Sequence, residues 1–310
     1  MSQNNPLSAL LDKQDFLLLD GAMATELEAR GCNLANSLWS AKVLVEDPQL
    51  IREVHLDYYR AGAQCAITAS YQATPAGFAT LGLDEAQSKA LIGKSVELAR
   101  KAREAYLAEN PLAGGLLVAG SVGPYGAYLA DGSEYRGDYE RSQEQFQAFH
   151  RPRVEALLDA GADLLACETM PNFAEIKALA ELLSAYPRAR AWFSFTLRDS
   201  EHLSDGTPLS EVVAFLAHYP QVVAIGINCI ALENTTAALQ HLHGLTTLPL
   251  VVYPNSGERY DAQSKTWHHH GEGCARLADY LPQWRAAGAR LIGGCCRTTP
   301  EDIAGLKACF

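Results

Sequence analysis

Short, unbroken apolar runs alternate along this chain with longer stretches in which apolar residues recur every three or four positions. The runs are FLLLD (16–20), QCAITAS (64–70), LLVAGS (116–121), DLLACE (163–168), AWFSFT (191–196), VVAIGIN (222–228), PLVVYP (249–254) and RLIGG (290–294). A strand wetted on one face alternates apolar and polar residues, whereas a strand covered on both faces reads as a continuous apolar run. Most of the runs are of the second kind, and they predict buried parallel strands. Between them, stretches such as PQLIREVHLDYYRAGA (48–63) and AQSKALIGKSVELARKAREAYLA (86–108) carry the spacing of amphipathic helices.

One local pattern recurs. AGAQCAI (61–67), AGADLLA (160–166) and AGARLIG (287–293) each place a glycine at a helix end immediately before a strand. Glycine supplies the left-handed conformation that closes a helix. Eight strand–helix units fit a (β/α)8 TIM-type barrel, a fold of about 250 residues with room for insertions. A doubly wound open sheet is the rival, but the turn after the first strand, LLLDGAMATEL, carries no G-x-G-x-x-G. No low-complexity linker interrupts the chain, so residues 1–310 are expected to form a single domain.

Composition narrows the partners. A formal net charge of −11 disfavours nucleic acid and anionic membrane surfaces. No apolar run approaches the roughly 20 residues of a membrane span. The start, MSQNNPLSALLDKQDF, lacks the basic-then-apolar pattern of a secretory leader, so a cytoplasmic location is expected. Eight scattered cysteines are not a disulfide framework and are expected to be free, buried or metal-bound.

In such a barrel the residues just after each strand face the active site. Those positions hold Asp20, Ser70, Tyr71, Ser121, Glu168, Asn228, Cys229, Asn255, Cys295 and Cys296. Adjacent Cys295 and Cys296 are too close along the backbone to pair with each other. Cys229 follows the sixth strand and the vicinal pair the eighth, so the three thiols can converge. Three thiolates with one exchangeable position make a zinc site of the catalytic kind. The spacing alone also permits three small buried hydrophobes, the reading given to Cys65, Cys167 and Cys274; Cys32 and Cys309 read as passive packing. His268, His269 and His270 read as part of a solvated loop. Thr298 or Thr299 with Pro300, Glu301 and Asp302 predicts a helix start near the thiols. Asn172 and Glu175 read as the cap of their own helix, which leaves Glu168 free to bind a ligand. Tyr71 is a candidate to meet a cation through its ring.

Together LLLDGAMATELEARG (17–31), ACETMPNFAEIKA (166–178), IGINC (225–229) and IGGCCRTTPEDI (292–303) resemble the homocysteine S-methyltransferase family, in the same order and over essentially the whole chain. The resemblance implies a (β/α)8 barrel with one zinc ion held by Cys229, Cys295, Cys296 and the substrate sulfur. It implies that Asp20, Gly21, Ala22, Met23 and Glu168 bind the amino-acid part of L-homocysteine, with Asn228 beside the metal and no catalytic side chain beyond the metal-activated thiolate. Betaine-using members carry a C-terminal extension, whereas this chain ends at Phe310. The expected donor is therefore S-methylmethionine, or less efficiently S-adenosylmethionine, in methionine biosynthesis. The expected partners are these small molecules, with the protein a monomer or weak homo-oligomer. A betaine-dependent methyltransferase, a zinc- or thiol-redox-sensing binding module and a metal-dependent aldolase or hydrolase are the alternatives.

Overall fold

The computed structural model describes residues 5–34, 38, 40–257, 259–261, 266–268 and 276–309. All eight predicted strands form, with trimmed ends: β1 (Leu17–Leu18), β2 (Cys65–Ile67), β3 (Leu117–Val122), β4 (Leu164–Met170), β5 (Ala191–Phe195), β6 (Val222–Asn228), β7 (Leu250–Tyr253) and β8 (Ala289–Ile292). They make one parallel sheet in the order β1-β8-β7-β6-β5-β4-β3-β2. A parallel bridge from Leu19 to Cys65 joins its two edges, so the sheet closes into a barrel.

Period-two alternation along each strand separates two cores. Leu17, Cys65, Leu117, Leu164, Trp192, Ala224, Val251 and Leu291 fill the barrel interior. Their neighbours Leu18, Ala66, Val118, Leu165, Phe193, Ile225, Val252 and Ile292 pack outward against the helices. Both faces are apolar, which is why the runs look continuous. The first helix, Pro6–Leu11, packs Leu7, Leu10 and Leu11 against the interior cluster and closes one end of the barrel. Nothing in the apolar pattern announces it.

The helix-ending glycines behave as their repeat predicts: Gly62, Gly161 and Gly288 have φ of 110°, 85° and 88°. The helices Glu85–Glu109 and Gln143–Asp159 begin in reciprocal capping boxes, Asp84 with Gln87 and Ser142 with Gln145. Two antiparallel ribbons were not foreseen, Leu197–Asp199 with His202–Leu203 and Arg259–Asp261 with Thr266–His268. His268 therefore lies in a strand, not a loop. His269, His270 and Cys274 are outside the described residues. Among the described residues no helix is long and apolar enough to cross a membrane.

Candidate metal and substrate site

The C-terminal ends of the strands surround a cavity of about 330 Å³. Ten of the residues named from the sequence line it: Asp20, Gly21, Ala22 and Met23 after β1, Tyr71 after β2, Glu168 in β4, Asn228 and Cys229 at the end of β6, and Cys295 and Cys296 after β8. Loop-to-loop backbone bonds bring the cysteines together. The Cys229 N–H donates to the Tyr253 carbonyl at 3.1 Å, the Cys295 N–H to the Pro254 carbonyl at 2.7 Å, and the Ser256 N–H to the Cys296 carbonyl at 3.1 Å. Thus the segment after β7 is the splint that aligns the ends of β6 and β8.

The three sulfurs lie within 4.8 Å of one another. Three neighbouring soft donors beside an open cavity suit a thiophilic metal ion with one further ligand from the cavity. Cys229 and Cys295 are joined as a disulfide, with Cα atoms 5.5 Å apart, and Cys296 is a free thiol. This differs from the expected set of free thiols: two of the clustered sulfurs are close enough to bond. Metal ligation by all three requires that bridge reduced. Tyr135 stands at the cavity wall with Cys296.

Backbone strain concentrates here. Among the described non-glycine residues with positive φ, Thr169 (60°), Cys229 (51°) and Arg297 (67°) all line the cavity. A β-branched residue in this region costs on the order of 1–3 kcal/mol and needs outside support. Asn228 supplies it for Thr169. Its Oδ1 accepts from the Thr169 N–H at 2.8 Å, and its Nδ2 donates to Thr169 Oγ1 at 2.8 Å. The same Oδ1 accepts from Ser194 Oγ at 2.8 Å. Asn228 is fully buried and its amide is largely committed to the protein. We expect Asn228→Ala to lower unfolding free energy by about 2–4 kcal/mol, because a buried N–H loses its partner while the strained turn stays. Urea unfolding of the variant checks this; a loss under about 1 kcal/mol would show that Thr169 holds its conformation unaided.

Two carboxylates face the cavity from β1 and β4. Asp20 is buried, and its Oδ2 accepts from the Ile67 N–H at 2.9 Å. Burial pushes its pKa well above the ordinary value, and Glu168 adds to the rise. Glu168 accepts a hydrogen bond from Ser121 Oγ, and Tyr253 lines the cavity with it. Burial raises its pKa to about 7, against the opposing effects of Ser121, Tyr253 and Arg153. The Asp20 turn is close-packed: a Cβ on Gly21 would lie 2.9 Å from both Tyr58 and Thr298 Oγ1. Tyr58 donates to the Ala22 carbonyl at 2.9 Å, and Ala22 N–H donates to Thr298 Oγ1 at 3.2 Å.

Other expectations changed on folding. Ser121 does not line the cavity but orients Glu168 from behind. Ser70 donates to the Ser121 carbonyl at 2.8 Å, and Asn255 also lies outside the lining. Asn172 caps its helix through the Glu175 N–H, as predicted. The Glu175 carboxylate, however, leaves the cap for a buried cluster. It accepts from the Tyr125 N–H at 2.6 Å and the Tyr139 hydroxyl, and meets His150 Nε2 at 2.7 Å. Beside His150, the buried Arg153 guanidinium donates to the Tyr71 carbonyl at 2.7 Å and the Gly123 carbonyl at 2.6 Å, pinning the loops after β2 and β3. Thr299 caps the helix Pro300–Lys307 in a reciprocal box with Asp302. Thr169, Tyr253, Tyr135 and Arg297 were missed as lining residues. Tyr253 lay inside an apolar run, where nothing marks which face a residue takes.

Known proteins share this architecture. Residues 17–310 match the family model for homocysteine S-methyltransferase. The homocysteine S-methyltransferase of Escherichia coli strain K12 is 90% identical over 308 residues, covering 99% of each chain. Crystal structures of the E. coli homocysteine methyltransferase MmuM in its metallated and oxidized forms each superpose with a TM-score of 0.91 at 85% identity, covering 98% of this chain and 99% of theirs. The barrel, the strand-end cavity and these matches agree that the chain belongs to the homocysteine S-methyltransferase family.

Proposed function

We propose that this chain transfers a methyl group from S-methylmethionine, or from S-adenosylmethionine, to the thiolate of L-homocysteine, giving methionine, with one zinc ion held by Cys229, Cys295 and Cys296. The observation that carries the proposal is the placement of three sulfurs within 4.8 Å of one another on the wall of a cavity that also holds two buried carboxylates. Zinc bound there supplies a Lewis acid that keeps the substrate thiol ionised near neutral pH, where a free thiol is mostly protonated.

The protein's own residues do the rest. Glu168 and Asp20 receive the homocysteine ammonium; each is costly to ionise while empty, and a cation beside them offsets that cost. Ser121 fixes the Glu168 carboxylate, so the amino acid binds in one orientation. Methyl transfer needs the nucleophilic sulfur, the methyl carbon and the leaving sulfur in line, which is a positioning task without acid–base chemistry. Charge is neutralised as the reaction proceeds, so little water around the reacting pair would favour it.

The deciding experiment is a methionine-formation assay with homocysteine and each donor in turn, under reductant, with and without a chelator. We expect turnover with S-methylmethionine, weaker turnover with S-adenosylmethionine, none with betaine, and loss with chelator that zinc restores. Turnover with betaine alone would replace the donor assignment, and full activity in chelator would remove the metal.

A further inference from the structure

The cavity has an inner and an outer end, and different charges line them. Asp20, Glu168 and Asn228 are buried and form the inner end. Arg297 is half-buried and Glu28 exposed, yet both line the same cavity, so they stand toward its mouth. Arg297 is the one basic residue among the described residues of the lining. Glu28 comes from the helix Met23–Ala29. Thr25 and Glu28, one turn apart on that helix, share the face that lines the cavity. Glu26 pairs instead with Arg30, which also pairs with Asp57. The Glu28 carboxylate is left with no ion pair among the described residues.

The two residues belong to one frame. The Arg297 N–H donates to Thr25 Oγ1 at 3.2 Å, which ties the turn after Cys296 to the helix that carries Glu28. Tyr58 Oη reaches the carbonyls of both Ala22 and Thr298, at 2.9 and 3.2 Å, and ties them again. The turn itself is closed by the Thr298 N–H on the Cys295 carbonyl at 3.1 Å. Within it Arg297 has φ of 67°, where glycine is the residue that fits without strain. A turn needed only for its shape is better served by glycine. An arginine held there at a conformational cost, with its side chain on the cavity wall, points to a use for that side chain.

We propose that Arg297 and Glu28 form the subsite for the amino-acid head of the methyl donor, Arg297 receiving its carboxylate and Glu28 its ammonium. The inference rests on the methyl-transfer reading above. Homocysteine, with its sulfur at the cysteines and its ammonium at Asp20 and Glu168, fills the inner end. The donor must then enter from the mouth with its sulfonium toward that sulfur, and its head is left among the outer residues. A guanidinium takes a carboxylate through two parallel N–H···O bonds, which fixes direction as well as place. S-methylmethionine and S-adenosylmethionine carry the same 2-amino-acid head, so one pair of charges serves both. Betaine has no N–H on its nitrogen and offers Glu28 no hydrogen bond. As the methyl carbon bonds to the homocysteine sulfur, its bond to the donor sulfur breaks and the electron pair stays on that sulfur. The head takes no part, so its contacts are the same before and during transfer. Such uniform binding moves KM rather than kcat.

The test pairs steady-state kinetics with titration calorimetry of S-methylmethionine on the reduced, metal-loaded full chain. For Arg297→Gly we expect the KM and Kd for S-methylmethionine to rise at least about tenfold, the size of one lost charged hydrogen bond. The homocysteine KM and the metal content should stay within twofold, and kcat should change less than the donor KM. The ligand-free Tm should hold, because glycine suits the φ of that position. Glu28→Gln, at an exposed site that water screens, should show the same donor-only pattern at about three- to tenfold. A donor KM and Kd within twofold of wild type in both variants overturns the proposal. So does a rise confined to the homocysteine KM, which would give Arg297 to the other substrate, or a joint loss of both substrates with a lowered Tm, which marks a scaffold role. Wild-type protein that neither binds nor is saturated by S-methylmethionine overturns it as well. Calorimetry separates the two readings. Donor binding that depends on Arg297 and Glu28 in protein without turnover keeps the subsite and sinks methyl transfer, whereas normal turnover with an unchanged donor KM in both variants does the reverse.

Discussion

Cys229→Ser and Cys296→Ser will each lose bound metal and methyl transfer together, with activity falling at least about a thousandfold while the barrel stays folded. A serine hydroxyl cannot replace the soft, ionisable sulfur that completes the donor set. The loss should be nearly complete in either variant, because the thiols act as one unit and two of them leave the ion weakly held. The cost to the fold should be small, since Cys296 is only partly buried and Cys229 is placed by its backbone bond to Tyr253 rather than by its sulfur. Metal analysis and circular dichroism on reduced protein check both halves. Full metal occupancy in both variants would end the assignment. Reductant matters, because protein with Cys229 and Cys295 bridged offers a single free thiol at the cluster.

Glu168→Gln will weaken homocysteine binding by about 10- to 100-fold with metal retained, through loss of a charged hydrogen bond to the ammonium. The same change will stabilise the ligand-free protein above neutrality. The sign follows from the raised pKa. Glu168 titrates at about 7 in the folded chain against an ordinary value of 4.5. Between those values the folded state holds the proton more tightly than the unfolded state, so stability is highest at low pH and falls as pH climbs toward 7. The full effect is at most about 3 kcal/mol. In Glu168→Gln that slope should flatten, and the variant should exceed wild type at pH 8. Homocysteine titrations with denaturant melts at pH 5 and pH 8 measure both. An unchanged homocysteine affinity takes Glu168 out of the substrate site.

The two buried carboxylates of the cavity illustrate one trade. Asp20 and Glu168 stand in a poorly hydrated wall that raises the pKa of each, and the ligand-free protein is less stable for it. Positive φ values at Thr169, Cys229 and Arg297 add backbone strain at the same cavity. The rigid barrel tolerates them because neighbouring loops hold them, as Asn228 holds Thr169.

By itself the sequence determined the eight strands, the helix-closing glycines Gly62, Gly161 and Gly288, and the polar residues at the strand ends that line the cavity. These are legible because two-sided burial, chain reversal and strand termination are written in adjacent residues, and a closed parallel barrel necessarily gathers its strand ends. Only the tertiary structure decided that the segment after β7 aligns Cys229 with Cys295, that Asn228 supports Thr169, and that Glu175 leaves its helix cap for His150 and Tyr139. It alone placed the helix Pro6–Leu11 against the barrel interior. Each of these depends on hydrogen bonds or packing between segments tens to hundreds of residues apart, and no local pattern encodes which distant groups will meet once the barrel has closed.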